Sequence, residues 1–365
     1  MTVAIKYPGK YIQGKDELAK LGLHTKKLGQ KYFVLCSANT KKRIGAQIEE
    51  SFAAAEKSSF FCEFTGKCTK TEIARVTEMC QESGCDVVVG AGGGSTIDTA
   101  KAVADNLGLP VVIIPTVASN DAPCSGISVI YNEEGVVVKA LFTKRNPDLV
   151  LVDTQIIAQS PARLFTAGMG DAIATWFEAK AVQASGARTM AGALCSNTAL
   201  MMARLCYDIL LCEGLSALES VKNGQVSPEV EHVVEASILL SGLGFESGGL
   251  AAAHAINDGF VHVPGARELY HGERVAFGTF VQLVLEDAEQ NELDRIMSFL
   301  SDVGLPMTLQ QMGMSQIDET MLKKVAKAAC VSTQSTKNLP FPVSEDDVYE
   351  AIIKADRLGR KFKGQ

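Results

Sequence analysis

Residues 86–104 read DVVVGAGGGSTIDTAKAVA, and this stretch decides the fold. An unbroken apolar run at Val87–Val89 is what a strand buried on both faces requires. The glycines at 90, 92, 93 and 94 then make a tight turn, and Ser95 opens a helical pattern. The spacing predicts Ser95 as the helix N-cap with Asp98 in the capping-box position three residues on. Strand, glycines and helix start together offer bare amide N–H groups and a positive helix end to a phosphate. The dinucleotide fingerprint G-x-G-x-x-G is nearly met at Gly90 and Gly92, but its third position is Ser95, and no acidic residue follows about 20 positions later. By itself the turn therefore reads either as a phosphate cradle or as a plain strand-to-helix connection.

Outward from it, strand-like and helical segments alternate. KYFVLCS (31–37) precedes an amphipathic segment from Lys41, SSFFCEF (58–64) precedes a helix over 72–82, and PVVIIPT (110–116) follows the glycine helix. Such alternation implies right-handed βαβ crossovers and a mostly parallel sheet. ISVIYNEEGVVVKALFT (127–143) reads as a hairpin appended to that sheet, and DLVLVDT (148–154) as its last strand. After Pro161 the periodicity becomes helical throughout, so the expectation is an α/β domain over 1–160 and an all-helical one over 161–365. A chain of 365 residues is longer than one core usually supports, which fits two domains with a ligand cleft between them. The helices of the second half are apolar around much of their circumference, which suits a buried bundle or a homo-oligomer interface.

Composition narrows the function. A formal net charge of −7 argues against an electrostatic hold on nucleic acid or anionic lipid. No apolar run approaches the roughly 20 residues of a membrane-spanning helix, and charges stand where a signal peptide needs its apolar core, so a cytoplasmic location is expected. The 10 cysteines form no CxxC and lie mostly in apolar segments, as reduced core thiols do.

Two further stretches carry chemistry. PTVASNDAPCSGISVIY (115–131) opens on the same sheet edge as the glycine turn, with Thr116, Ser119, Asn120, Asp121 and Ser125 as small hydrogen-bonding side chains. Crevices beyond that edge are the preferred ligand sites of open α/β sheets. LAAAHAINDGFVHVPGARELYHGERVAFG (250–278) gathers three of the five histidines, a possible metal site, although a lone histidine is more often structural.

Taken with NPDLVLVDT (146–154) and GMGDAIATWFEA (168–179), these segments resemble the glycerol dehydrogenases, the zinc branch of the iron-dependent alcohol dehydrogenase superfamily, over essentially the whole chain. The resemblance implies an enzyme of the dehydroquinate synthase-like fold that oxidises glycerol and other small vicinal diols to the ketone, dihydroxyacetone from glycerol, with NAD as hydride acceptor. It implies a metal held by Asp171, His254 and His271, at which substrate also binds. A carboxylate with two imidazoles suits Zn2+ and leaves room for a substrate oxygen. Iron-using relatives place a histidine four residues after the aspartate; here that residue is Thr175, which favours zinc. His24, His232 and His262 match no ligand position.

The resemblance further assigns Asp121 to the substrate, as acceptor for a neighbouring hydroxyl. Cofactor contacts map to Gly94, Ser95, Thr96, Ile97 and Asp98, to Thr116, Val117, Ala118 and Ser119, and to Ser125, Ile127 and Tyr131. One position departs from the pattern. Where NAD-preferring members carry an aspartate for the adenosine ribose, this chain has Ser37, with Lys41, Lys42 and Arg43 close by. The serine can still bond the ribose, but repulsion against the 2′-phosphate of NADP is gone. Related folds also house lyases of the dehydroquinate synthase type and phospho-polyol dehydrogenases. Their anionic substrates call for clustered Arg and Lys, whereas 250–278 offers only Arg267 and Arg274, and Asp121 would repel such an anion. Family members are often octamers.

Overall fold

The computed structural model describes residues 2–364 and divides them into two compact units, 6–161 with 220–242, and 2–5 with 162–219 and 243–364. The segment 220–242, helical by its periodicity, thus belongs with the α/β unit. Its helix α6 (Pro228–Glu235) carries Glu231, whose carboxylate accepts from Gln13 Nε2 at 2.9 Å and from Thr154 Oγ1 at 2.7 Å. Those polar ties, invisible in a periodicity, fix its membership. Here α1 to α8 number the helices that bear on the site.

In the α/β unit, six parallel strands run in the order β1-β8-β5-β4-β2-β3. They are β1 (Tyr11–Gly14), β2 (Lys31–Cys36), β3 (Ser58–Glu63), β4 (Val87–Gly92), β5 (Val111–Pro115) and β8 (Leu149–Asp153). Helices α1 (Ala38–Ala54), α2 (Lys70–Ser83) and α3 (Gly94–Leu107) connect the middle strands. β4, β5 and β8 are buried along their whole length, which is why they read as unbroken apolar runs. One face of the sheet buries Tyr32, Val34, Val89, Val112 and Leu151 against Ile48 and Phe52, with the Tyr32 and Phe52 rings stacked 4.2 Å apart.

Three details differ from expectation. The four-residue β1, too short to announce itself, joins the sheet outside β8, the last strand in chain order as predicted, pairing from Tyr11↔Val150 to Gly14↔Asp153. The hairpin β6 (Ile127–Tyr131) with β7 (Val137–Phe142) is a separate two-stranded antiparallel sheet rather than an extension of the main one. Helix α3 begins at Gly94, with Gly93 as its N-cap in extended conformation and no side-chain cap, so the Ser95/Asp98 capping box does not form.

The helical unit contains α4 (Ala162–Ser185), nearly all of α5 (Asn197–Lys222), α7 (Ala252–Phe260), α8 (His271–Leu285) and further helices towards the carboxyl end. As the periodicity predicts, it contains no strand among the described residues, only isolated bridges such as Arg188↔Leu194. No single helix among the described residues is long and apolar enough to cross a membrane.

Candidate functional site

β4 and β5 end level, with Gly92 opposite Pro115, so the two loops that follow open side by side. Thr116 N donates to Gly92 O at 3.0 Å and locks them together. Gly90 permits the close approach of α3: a Cβ there would sit 2.6 Å from Ala100 Cβ. The first-turn amides of a helix have no partner within it, so Gly94, Ser95 and Thr96 present N–H groups at this edge. Ile97 N is already bonded to Gly93 O, and the carboxylate of Asp98 turns inward. Thr116, Val117, Ala118 and Ser119 follow β5, while Ile127 and Tyr131 bound β6. Ser37 is the N-cap of α1, its hydroxyl accepting from Thr40 N, and Lys41 lies with its ammonium 4.8 Å from the Phe61 ring centre.

Asp121 stands in the second loop, 8 % exposed. Its Oδ2 accepts from Ser241 Oγ at 2.7 Å. Ser241 follows a π-helical turn, Ala236–Leu240, a local widening common at functional sites. Nothing in the sequence near Ser241 signals this partnership across 120 positions.

In the helical unit, Asp171 lies mid-helix on α4, so it does not cap a helix. His254 comes from α7, and His271 is the first residue of α8. The three offer one ligand atom each within 4.8 Å of one another. Asp171 Oδ1 is 3.1 Å from His271 Nε2 and 3.4 Å from His254 Nε2. Two glycines make this possible. A Cβ on Gly272 would lie 1.8 Å from Ala167 O, and one on Gly170 would lie 2.5 Å from Gly272 O, so α4 and α8 touch backbone to backbone beside the cluster. The start of α8 is pinned by Glu273, which accepts Tyr270 N at 2.7 Å and the Arg163 guanidinium at 2.7 and 2.9 Å.

Glu178, missed in the sequence, orients His254. It lies two turns beyond Asp171 on α4 and is fully buried. Its Oε2 is 2.6 Å from His254 Nδ1, and its Oε1 accepts Ala251 N at 2.8 Å and His254 N at 3.1 Å. A carboxylate on one imidazole nitrogen fixes the tautomer and leaves the other nitrogen's lone pair facing the cluster. The seven-residue spacing from Asp171 was the only available signal, and within WFEA the glutamate reads as an ordinary helix residue.

Electrostatics agree with a cation-binding role. Burial opposes ionisation of Asp171, but the adjacent His271 and His254 outweigh it and hold its carboxyl well below the usual range. Burial also opposes charge on His254, yet Glu178 and Asp171 outweigh it and raise the imidazole well above its ordinary value. Two buried carboxylates around two imidazoles demand positive charge, which protons or a divalent cation can supply. The donor set of one carboxylate and two imidazoles fits zinc and similar ions. The His271 side chain is 42 % exposed against 1 % for Asp171, so the cluster opens to solvent on the His271 side. Thr175, one turn after Asp171, is buried with its methyl against Gly244, where a Cβ would meet it at 2.4 Å.

His24 instead pairs with Glu17, His232 lies on α6 and His262 in the turn after α7. Arg267 and Arg274 bond carbonyls of their own loop, at Val261 and at Ala266 and Leu269.

A parallel sheet with a glycine-rich helix start, together with a candidate metal cluster of one carboxylate and two imidazoles in a helical unit, points to the class of alcohol dehydrogenases. The family model for iron-containing alcohol dehydrogenases matches residues 8–154. Glycerol dehydrogenase of Thermotoga maritima is 46 % identical over 364 residues, covering 100 % of this chain and 99 % of that one. Glycerol dehydrogenase of Escherichia coli O6:H1 is 45 % identical over 362 residues, 99 % of both chains. The crystal structure of glycerol dehydrogenase from Schizosaccharomyces pombe superposes with a TM-score of 0.96 at 35 % identity, covering 100 % of this chain and 93 % of that one. The chain belongs to the iron-containing alcohol dehydrogenase family, among its glycerol dehydrogenases.

Proposed function

We propose that this enzyme oxidises glycerol, and other small vicinal diols, to the hydroxyketone with NAD as hydride acceptor and a divalent metal, zinc by its donor set, as Lewis acid. The observation that carries the reading is the convergence of Asp171, His254 and His271 within 4.8 Å in a chain 46 % identical to a glycerol dehydrogenase. A bound metal would supply Lewis-acid chemistry, lowering the pKa of the substrate hydroxyl so that its proton leaves to solvent as the C–H hydride passes to the nicotinamide. The rest falls to the chain's own residues. Asp171 and the two histidines would hold the ion, and Glu178, against His254 Nδ1, would keep the proton there so that Nε2 could coordinate.

The first-turn amides of α3 receive the cofactor's pyrophosphate. Ser37, at the end of β2, serves the adenosine ribose; its hydroxyl is already engaged at the start of α1, and Lys41 is stacked on Phe61 rather than extended towards a 2′-phosphate. The Lys41 contact supports NAD over NADP, and comparison of kcat/KM with the two cofactors checks it. The internal bonds of Arg267 and Arg274 argue against a lyase or a phospho-polyol dehydrogenase, which need cations free for an anionic substrate. Self-association through α5, which exposes Met201, Leu205 and Leu215 on one face, belongs to the same reading and is checked by the mass in solution.

Asp121 supplies diol preference. A second substrate hydroxyl gives its carboxylate, already held by Ser241, a further donor that a mono-alcohol does not offer, and a hydrogen bond to a charged acceptor contributes about 1–3 kcal/mol. Asp121→Ala is therefore expected to raise KM for glycerol by roughly 5- to 150-fold and to change KM for a mono-alcohol much less. Steady-state kinetics on both substrates check this; equal effects would remove Asp121 from the substrate site.

A further inference from the structure

The loop that carries Asp121 has little regular structure of its own, a single 3-10 turn at Ala122–Cys124. A lysine holds it. Lys101, on α3, is 2 % exposed. Its ammonium donates to the backbone oxygens of Ala122 at 3.0 Å, of Ser125 at 3.4 Å and, closest, of Ile127. Its charge partner is Asp98, one turn earlier on α3, with Nζ and Oδ1 3.0 Å apart. Through Oδ2, Asp98 accepts Val129 N at 3.0 Å, and its own carbonyl accepts Ser128 Oγ at 2.9 Å. The pair thus gathers both the turn and the start of β6 onto α3.

A buried ion pair is poor evidence for stability, since apolar residues of like volume serve that end as well or better. An ammonium with three carbonyls and a carboxylate around it does something an apolar side chain cannot: it dictates the path of the backbone it binds. One of those carbonyls belongs to the residue immediately after Asp121. On the reading that Asp121 meets the substrate, we propose that Lys101 is a positioning residue for the polyol, which aims the Asp121 carboxylate by anchoring the 122–127 turn through its pair with Asp98. Ser241 fixes the same carboxylate from the π-helical turn, so the side chain is held at both backbone and tip. This also gives Asp98 a purpose other than the capping box its spacing predicts.

The test compares Lys101→Met, Asp121→Ala and the double variant, with glycerol and with 2-propanol as a mono-alcohol. Lys101→Met is expected to raise the glycerol KM at least about tenfold, with a smaller change in kcat, and to leave the 2-propanol KM within about twofold, because small misplacements of a positioned group carry large penalties. In the Asp121→Ala background the same change is expected to add almost nothing. If Asp121→Ala discriminates between the alcohols and Lys101→Met does not, whatever its melting temperature, the positioning role is wrong and Lys101 is a structural anchor. If Asp121→Ala itself fails to discriminate, the substrate reading of Asp121 falls, and this proposal with it. Should Lys101→Met not fold, hydrogen exchange on the wild-type protein decides: the amides of Ser125 and Val129 are expected to be protected like those of α3, and exchange at open-loop rates would overturn the anchoring.

Discussion

Asp171→Asn is expected to reduce turnover by more than about 100-fold and to strip the protein of tightly held metal, since losing a ligand costs more than losing a residue that merely orients one. Asparagine keeps the volume of the side chain in the middle of α4, so the helix and its backbone contact with α8 at Gly170 and Gly272 should persist. What disappears is the charge at the point where the two imidazole nitrogens converge, 3.1 and 3.4 Å from Oδ1. Without it, Glu178 is the remaining carboxylate on that face of α4, and it is committed to His254 and two backbone amides. Metal content after dialysis, measured beside kcat, checks the expectation. A variant that retains a full equivalent of metal and wild-type kcat would remove Asp171 from the site.

Glu178→Gln is expected to weaken metal binding by about 10- to 100-fold, the usual cost of losing the partner that orients a histidine ligand. The substitution is nearly isosteric, but it cannot satisfy its surroundings. The native carboxylate accepts on both oxygens, from the His254 ring on one side and from the amides of Ala251 and His254 on the other. A glutamine offers one oxygen and one amino group. If the amino group faces the ring, Nδ1 must accept, and the ring proton moves to Nε2, where the metal should bind. If the oxygen faces the ring, the amino group confronts two backbone donors in a fully buried position. Either orientation raises the free energy of the metal-competent tautomer. Chelator competition measures the affinity, and kcat at saturating metal should recover in part. Unchanged affinity would mean that Glu178 is only a structural bridge between α4 and α7.

The parts of the molecule legible in the sequence are those whose physics is local. Val87–Val89 and the glycines after them announce a buried strand and a tight turn, because both demands act on neighbouring residues. The N-cap lies at Gly93 rather than Ser95 because a glycine N-cap leaves no side-chain signature of its own. β1 went unseen since four half-buried residues carry no usable alternation. The helical character of 220–242 was plain, but its unit depended on Glu231 reaching Gln13 and Thr154, which no periodicity encodes. The candidate metal cluster was readable only through motif resemblance, because its members lie on three helices. The residues around it were hidden for the same reason. Glu178 lies among apolar neighbours, Lys101 and Asp98 look like an ordinary i,i+3 surface pair, and Ser241 meets Asp121 only after folding.

Metal-dependent transfer of hydride from a diol to NAD is read from the ultraviolet absorbance of reduced nicotinamide. Purified protein is given glycerol with NAD or NADP, before and after exhaustive chelation, and then with zinc restored. Steady reduction of NAD, slower reduction of NADP, arrest on chelation and recovery with the metal are the expected results. No reduction with glycerol, or a rate indifferent to chelation, would contradict them.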